Sequence, residues 1–276
     1  MSRQHPIGIF DSGYGGLTIL QEVVKRLPQY DYLYLGDNAR APYGNRSFET
    51  VYQYTLQCVQ WFLSQQCPLI ILACNTASAK ALRTIQQRDL PLLDPGKKVL
   101  GIIRPTTEVI GSYTRTGSVG ILATSGTVTS GSYPLEIAKF FPALKVYQQA
   151  CPLWVPLIEN NQQNTPGATY FFQNCIQQLL QQSPQMDTIL LACTHYPLIR
   201  QQIRALVPSE IKLLEQGPII AQSLADYLDR HVEISRQLTT TGARTFYTTD
   251  STLDFDRQAK AFYGEELRSY PLSFSI

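Results

Sequence analysis

The sequence predicts an α/β protein with two pseudo-symmetric domains, each built on a mostly parallel sheet flanked by helices. Short apolar runs that end in Gly, Ser or Asn alternate with longer amphipathic stretches, a pattern typical of βα units. The run I-L-A-C-N-T at 71–76 is echoed by L-L-A-C-T-H at 190–195, and G-I-F-D-S-G at 8–13 by G-I-L-A-T-S-G at 120–126. Because the earlier member of each half precedes its Ala-Cys run by a similar distance, we interpret the chain as two related halves.

The individual elements follow from short apolar runs and from helix start signals. Residues 47–66 are predicted to form a helix with Glu49 in its first turn, and residues 218–230 a helix that begins with Pro just after Gly217. Helical stretches separate most of the strands. The predicted strands are 7–10, 32–35, 69–73, 99–102, 119–122, 144–148, 188–192 and 211–214.

The stretch 93–98 indicates a domain boundary, because it has turn residues and no apolar periodicity. We expect residues 1–97 to form the N-terminal domain and residues 98–208 the second. The chain is then expected to return, so that residues 209–276 complete the first domain. The Tyr-rich end of the chain has little strand pattern and could pack on either domain.

Composition excludes several classes of protein. With 276 residues, of which 44% are hydrophobic and 16% charged, the chain can bury a sizeable core. Its apolar runs are far shorter than the ~20 residues of a membrane span, and no export or lipidation signal is visible. A net charge of +2 with scattered Lys and Arg argues against nucleic acid as the primary partner. We therefore expect a cytoplasmic protein that binds no membrane and whose primary partner is not nucleic acid.

The six cysteines are expected to be free thiols, because a non-exported chain of this length sits in a reducing compartment. Their spacing does not favour a metal site, since no C-x-x-C pair with a nearby His occurs. Free Cys is often buried, so four of the six are interpreted as packing residues: Cys58, Cys67, Cys151 and Cys175.

Cys74 and Cys193 differ because each ends an apolar strand, as does Asp11. Ligands of an open parallel sheet bind beyond the carboxyl ends of its strands. The next residues are small and polar, suited to presenting N–H groups and hydroxyls to a carboxylate. They are Asn75 and Thr76, Thr194 and His195, and Ser12 and Gly13.

Two thiols facing each other across a cleft can invert a carbon centre. One thiolate removes a proton from one face while the opposite thiol delivers a proton to the other. We expect the N-terminus of a helix to lower the pKa of each thiol toward neutrality. Asp11 and His195 lie near the two thiols in sequence and could tune their ionisation, although Asp11 could instead cap the helix that starts near Gly15.

Several strings then carry a resemblance to a known family. They are F-D-S-G-Y-G-G at 10–16, G-D-N-A-R-A-P-Y-G at 36–44, A-C-N-T-A-S at 73–78, A-C-P-L-W-V-P-L-I-E at 150–159 and A-C-T-H-Y-P-L at 192–198. In sequence, order and spacing they resemble the signatures of the bacterial glutamate racemase family, from Ile7 to about Arg204. The resemblance implies interconversion of L- and D-glutamate in the cleft between the domains, without pyridoxal phosphate, metal or other cofactor, to supply D-glutamate for peptidoglycan.

The resemblance also implies roles for individual residues. It assigns the catalytic acid/base pair to Cys74 and Cys193, assisted by Asp11 and His195. The residues it places around the substrate are Asp11, Ser12, Pro42, Tyr43, Gly44, Asn75, Thr76, Thr124, Thr127, Glu159, Thr194 and His195.

The chain departs from the family pattern at two places. Arg104 in G-I-I-R-P stands where an acidic residue is common, and L-L-E-Q-G at 213–217 replaces the usual I-D-S-G. Neither departure touches the catalytic pair. They leave open regulation by a cell-wall precursor and the contacts of a homodimer.

Two other functions remain alternatives. A related two-cysteine racemase could act on aspartate or hydantoins, although the T-H-Y-P continuation after Cys193 favours glutamate. A non-catalytic protein on the same fold could sense an amino acid or bind a partner such as a topoisomerase. The intact pair of cysteines argues against a sensor.

Overall fold

The strands form two separate parallel sheets. The structure is a computed structural model and describes residues 4–274. The strands of the described residues are β1 (Ile7–Asp11), β2 (Tyr32–Gly36), β3 (Leu69–Leu72), β4 (Lys98–Gly101), β5 (Ser118–Ala123), β6 (Lys145–Ala150), β7 (Thr188–Ala192), β8 (Lys212–Glu215), β9 (Arg244–Thr248) and β10 (Ser269–Pro271).

The two sheets have equivalent strand orders. The first runs β10-β9-β2-β1-β3-β4 and the second β6-β5-β7-β8, and all the described pairs are parallel. The order β2-β1-β3-β4 in one sheet corresponds to β6-β5-β7-β8 in the other. The internal repeat seen in the sequence is thus a repeat of sheet topology, and the predicted α/β class with two mostly parallel sheets is confirmed.

Helices connect the strands and cover the sheets. They are α1 (Gly16–Arg26), α2 (Phe48–Ser64), α3 (Asn75–Lys80), α4 (Leu82–Thr84), α5 (Leu90–Leu93), α6 (Ile103–Val109), α7 (Ser125–Ser130), α8 (Ser132–Phe140), α9 (Trp154–Glu159), α10 (Pro166–Leu180), α11 (Arg200–Leu206), α12 (Gln216–Arg230), α13 (Val232–Ser235) and α14 (Thr252–Tyr263). Short 3₁₀ segments lie at Asn38–Arg40, Ile110–Tyr113 and Tyr196–Ile199, and a π-helical turn at Ile85–Asp89.

Burial and capping explain the central elements. Every residue of β1, β3, β5 and β7 is buried, as expected of central strands covered on both faces. The α2 helix begins after Ser47, whose hydroxyl accepts a hydrogen bond from the amide of Thr50. The apolar runs of these strands are the feature from which the sequence predicted them.

The C-terminal segment adds two strands to the outer edge of the first sheet. β9 pairs with β2, and β10 pairs with β9. β4 also belongs to the first sheet and β8 to the second. The chain therefore passes from the first sheet to the second after β4 and returns to the first after β8.

Candidate active site

The carboxyl ends of β1, β3, β5 and β7 converge on one cavity between the two sheets. The space between the atoms there is ≈ 540 Å³, with the open solvent at its mouth included. Both Cys74 and Cys193 line it, one from each sheet. The remaining lining residues are Ser12, Ala41, Pro42, Tyr43, Gly44, Asn45, Asn75, Thr76, Thr124, Pro152, Val155, Pro156, Glu159, Thr194 and His195.

Cys74 caps the N-terminus of α3 and is only 6% exposed. Its sulfur accepts from the amide of Ala77 at 3.5 Å and lies 3.3 Å from the hydroxyl of Ser12. Burial, reinforced by the charge of Asp11, raises the pKa of Cys74 to about 12, although both hydrogen bonds lower it. The expectation that a helix N-terminus brings this pKa down toward neutrality is therefore wrong for Cys74, because desolvation outweighs the capping interaction.

Cys193 follows β7 and is also 6% exposed. Its sulfur lies 3.9 Å from Nδ1 of His195, whose Nε2 lies 2.8 Å from a carboxylate oxygen of Glu159. Burial lowers the pKa of His195, but the hydrogen bonds to Cys193 and Glu159 and the charge of Glu159 raise it well above its ordinary value. The second thiol thus faces an imidazole that a carboxylate holds from its other side.

Asp11 lies behind the cavity and does not line it. One carboxylate oxygen accepts from the amide of Gly13 at 3.0 Å, and the other has no hydrogen-bond partner although Asp11 is buried. Burial raises the pKa of Asp11, against the lowering influence of His195 and of the amides of Gly16 and Gly13. Ser12, and not Asp11, is the side chain that contacts the thiol of Cys74.

Three threonine hydroxyls form a cluster on the floor of the cavity. The Oγ1 atoms of Thr76 and Thr124 are 2.9 Å apart, and those of Thr124 and Thr127 are 3.1 Å apart. Thr76 and Thr124 line the cavity, whereas Thr127 lies behind them. The cluster joins the two halves, since Thr76 belongs to α3 and Thr124 caps α7.

The segment 41–45 forms one wall of the cavity. The amide of Gly126 donates to the carbonyl of Gly44 at 2.8 Å, and a Cβ at Gly44 would lie 3.0 Å from Cβ of Thr124. The hydroxyl of Tyr43 donates to Asp37, so the ring and not the hydroxyl of this tyrosine is left to shape the wall. Pro42 stands beside it.

The glycine-rich turn after β1 packs directly on the second cysteine motif. A Cβ at Gly15 would lie 2.2 Å from Oγ1 of Thr194 and 2.4 Å from Nδ1 of His195. The hydroxyl of Thr18 bonds the carbonyl of Thr194 at 2.9 Å. Glycine is needed here for close approach of the two halves.

Sequence reasoning missed several residues at the site. Pro152, Val155 and Pro156 form an apolar wall, and their only signal was the string at 150–159. Asn75 lines the cavity, but its amide is engaged by two buried residues, Gln216 and Tyr133. Gln216 stands in the L-L-E-Q-G departure, which had no evident meaning in the sequence.

Other predicted features lie away from the cavity. All six cysteines are free and buried. Arg104 is exposed and forms an ion pair of 2.9 Å with Glu108. Within residues 4–274, no three His, Cys, Asp or Glu side chains are grouped so that they could hold a metal ion. No helix in the same range is long and apolar enough to span a membrane.

Comparison with known proteins gives one consistent picture. Residues 14–224 match the model of the Asp/Glu/hydantoin racemase family. The chain is 37% identical to a glutamate racemase of Geobacter metallireducens, over 95% of this chain and 93% of that protein. It is 38% identical to one from Levilactobacillus brevis, over 96% and 93%.

Solved structures agree with these relatives. A glutamate racemase isoform from Bacillus anthracis superimposes with a TM-score of 0.88 at 30% identity, covering 98% of this chain and 97% of that one. The glutamate racemase of Francisella tularensis, solved in complex with D-glutamate, gives a TM-score of 0.86 at 29% identity, covering 98% of each chain.

Proposed function

The chain belongs to the Asp/Glu/hydantoin racemase family, and on that premise we propose that it interconverts L- and D-glutamate by proton transfer between Cys74 and Cys193. It is an amino-acid racemase, an isomerase, and its relatives at 35–38% identity are named glutamate racemases. The observation that carries the mechanism is the arrangement of two buried thiols, one from each sheet, on a single cavity.

The proposed reaction moves one proton at each face of the substrate Cα. The sulfur of one cysteine, as thiolate, takes the Cα proton and becomes a thiol, while the thiol of the other gives its proton to the opposite face and becomes a thiolate. The proton count of the enzyme is unchanged, and the two sulfurs have exchanged roles. Turnover in the reverse direction restores the first state.

The two sulfurs have different surroundings. The raised pKa keeps Cys74 in the neutral form near pH 7, which suits a proton donor. The sulfur of Cys193 instead lies 3.9 Å from Nδ1 of His195, whose hydrogen bond to Glu159 holds the imidazole in place. We therefore propose that Cys74 starts the reaction as the acid of the pair.

Polar groups around the cavity suit a substrate with two carboxylates. The hydroxyls of Ser12, Thr76 and Thr124 and the groups of Asn75 and Thr194 are the proposed binding residues, with Pro42, Tyr43 and Gly44 as the facing wall. Asp11, His195 and Glu159 are proposed to set the charge at the sulfurs. Thr127 is proposed to act from behind, by orienting Thr124.

The cellular role follows from the activity. We propose that the enzyme works in the cytoplasm and supplies D-glutamate for peptidoglycan. A homodimer remains a prediction, which sedimentation of the purified protein would test.

Isotope exchange tests the proposed reaction. L-glutamate incubated with the enzyme in D₂O should gain deuterium at Cα as it racemises, because each new Cα–H bond comes from a thiol in exchange with solvent. Racemisation of aspartate but not of glutamate would show that the enzyme is an aspartate racemase instead. Glutamate binding without exchange would refute racemisation altogether.

Replacement of either sulfur tests the two-thiol mechanism. Cys74→Ser and Cys193→Ser should each lower kcat by at least about 10²-fold, the scale of a lost acid/base group, while circular dichroism stays unchanged. The matched control is Cys67→Ala, because Cys67 precedes the opposite end of the same strand β3 and should leave kcat near the wild-type value. An undiminished rate in either serine variant would exclude the mechanism.

A further inference from the structure

Three buried side chains close a ring of hydrogen bonds directly behind Cys74. The amide of Asn75 donates to Oε1 of Gln216 at 2.6 Å, and Nε2 of Gln216 lies 2.9 Å from the hydroxyl of Tyr133. That hydroxyl donates to Oδ1 of Asn75 at 2.7 Å. Asn75 and Gln216 are 3% exposed and Tyr133 is 0% exposed, so the ring is shielded from water. Each member both donates and accepts, which satisfies the buried groups.

The backbone fixes the direction of this ring. Nε2 of Gln216 also lies 3.2 Å from the carbonyl of Ile102 and 3.1 Å from Oγ1 of Thr106. Because a carbonyl only accepts, Nε2 and not Oε1 must face Ile102. Oε1 is then left for Asn75, which must present its own NH₂ group. The orientation of the Asn75 amide in the cavity wall is therefore set by Gln216.

The ring also lies where the two halves meet. Leu72 pairs with Gly101 in the first sheet as Leu191 pairs with Glu215 in the second, so the next residues, Ile102 and Gln216, occupy equivalent positions. Gln216 thus contacts Ile102, its counterpart in the other half of the molecule. Asn75 belongs to α3, whereas Gln216 begins α12 and Tyr133 lies on α8.

We infer that Gln216 is a positioning residue for proton transfer at Cys74, acting through Asn75 across the junction between the halves. The inference rests on the proposed two-thiol racemisation and extends it to a residue that touches neither sulfur. Asn75 opens the same turn of α3 whose Ala77 amide binds the Cys74 sulfur, so fixing Asn75 fixes the thiol. On the opposite side, Thr194 is held separately by Thr18. The effect should therefore be confined to one of the two thiols.

Isotope effects can detect such one-sided action. The enantiomers have equal free energy, so kcat/KM must be the same in both directions for every variant, and rates alone cannot separate the thiols. Deuterium at Cα reports only the step in which a thiol takes the deuteron. If proton transfer at Cys74 becomes slower, removal of the deuteron limits the rate more for the enantiomer from which Cys74 takes it. For the other enantiomer, Cys193 takes the deuteron and that removal limits the rate less.

The test compares Gln216→Met with the wild type, using Cα-deuterated L- and D-glutamate. Methionine keeps the length of the side chain and removes its hydrogen bonds. We expect kcat/KM to fall by about 10-fold or more, since small misplacements of reacting groups have effects up to about 10²-fold. The isotope effects on kcat/KM for L- and D-glutamate should move in opposite senses.

Two further variants keep the test decisive. Tyr133→Phe opens the same ring and should reproduce the opposed isotope effects, and the double variant should be little worse than either single one, because all three break one network. Gln222→Met, on the exposed face of the same helix, is the control and should match the wild type.

The outcomes separate the inference from the function on which it rests. Unchanged kinetics in Gln216→Met, or isotope effects that shift equally for both enantiomers, would overturn the inference while racemisation stands. If Gln216→Met does not fold, Tyr133→Phe carries the same two outcomes. A wild-type enzyme that does not exchange the Cα proton would instead refute the proposed function.

Discussion

The hydrogen bond between Glu159 and His195 sets the charge beside the second thiol. Glu159 approaches His195 from α9, with 19% of its side chain exposed against 6% for His195. The imidazole is thus clamped between a carboxylate and a sulfur. Removing either partner changes the protonation of the ring at a given pH.

Glu159→Gln should therefore narrow the pH range of activity. The carboxylate raises the pKa of His195, so its loss lowers that pKa, and the imidazolium is lost at a lower pH. We expect the alkaline limb of the kcat/KM profile to move to lower pH and the rate near neutrality to fall by roughly 10- to 100-fold, as for other partners that orient a functional histidine. Glu136→Gln, which breaks a surface ion pair with Lys139, is the control. An unshifted alkaline limb would contradict this assignment.

For single residues, the sequence predicted which side chains line the cavity better than it predicted their pKa values and hydrogen-bond partners. Cys74, Cys193 and His195 were recognisable because each stands at a strand end in a polar motif, and all three line the cavity. The raised pKa of Cys74 was not predictable, because it depends on burial by residues distant in sequence. The hydrogen bond between Asn75 and Gln216 was not predictable for the same reason, because 141 positions separate the two residues.

At the scale of elements, one carboxylate ties together the starts of two central strands. Asp187, just before β7, accepts from the hydroxyl of Thr114 at 2.6 Å and from the amides of Arg115 and Thr116 at 2.7 and 3.0 Å. Burial opposes its ionisation, but these hydrogen bonds lower the pKa of Asp187 to about 2. The loop before β5 is thereby held against β7.

Asp187→Asn should destabilise the protein in a pH-dependent way. A carboxyl whose pKa is lower in the folded than in the unfolded chain stabilises the fold above its ordinary pKa of 3.8, and this stabilisation is lost as the pH falls toward about 2. We expect Tm at pH 7 to fall by about 2–4 °C, as for the loss of about 1 kcal/mol, and the difference from wild type to shrink below pH 4. Asp229→Asn, on the exposed surface of α12, should leave Tm unchanged. A difference that is constant with pH would rule out the carboxylate as the cause.

Strands that carry an apolar run were predictable, at the edges of the sheets (β4, β6 and β8) as well as in their centres. All eight strands predicted from apolar runs are present, with ends that differ by at most two residues. β9 and β10 were not predicted, because their sequences R-T-F-Y-T and S-Y-P mix exposed and buried positions. β9 gains its place by pairing with β2 on one side and β10 on the other, rather than by an apolar pattern of its own.

At the scale of the whole molecule, the two halves fit together through backbone contacts that leave no room for side chains. Gly15, from the first half, faces Thr194 and His195, from the second, and the amide of Gly126 reaches across to Gly44. The shape of the cavity therefore depends on these contacts, because Gly44, Thr194 and His195 also line it.

Gly15→Ala should separate the halves by steric overlap alone. The φ angle of Gly15 is −58°, which alanine adopts freely, so the added Cβ would act only through its overlap with Thr194 and His195. We expect kcat/KM to fall by about 10²-fold, because His195 must shift, with a lower Tm as well. Gly167→Ala is the matched control, since a Cβ there meets nothing within 4 Å, and its Tm should be equal or slightly higher. Wild-type kinetics in Gly15→Ala would show that the junction tolerates displacement.

The path of the chain through the two sheets has a consequence for biosynthesis. The second sheet is built from the continuous stretch from β5 to β8, whereas the first needs β1 to β4 from one end of the chain and β9 and β10 from the other. On the ribosome, where domains fold as they emerge, the strands of the second sheet are all synthesised while the outer edge of β2 is still uncovered. That edge must wait for β9, and an open edge strand is a template for wrong pairing. The nascent chain is therefore most prone to aggregate in the interval between synthesis of β2 and synthesis of β9.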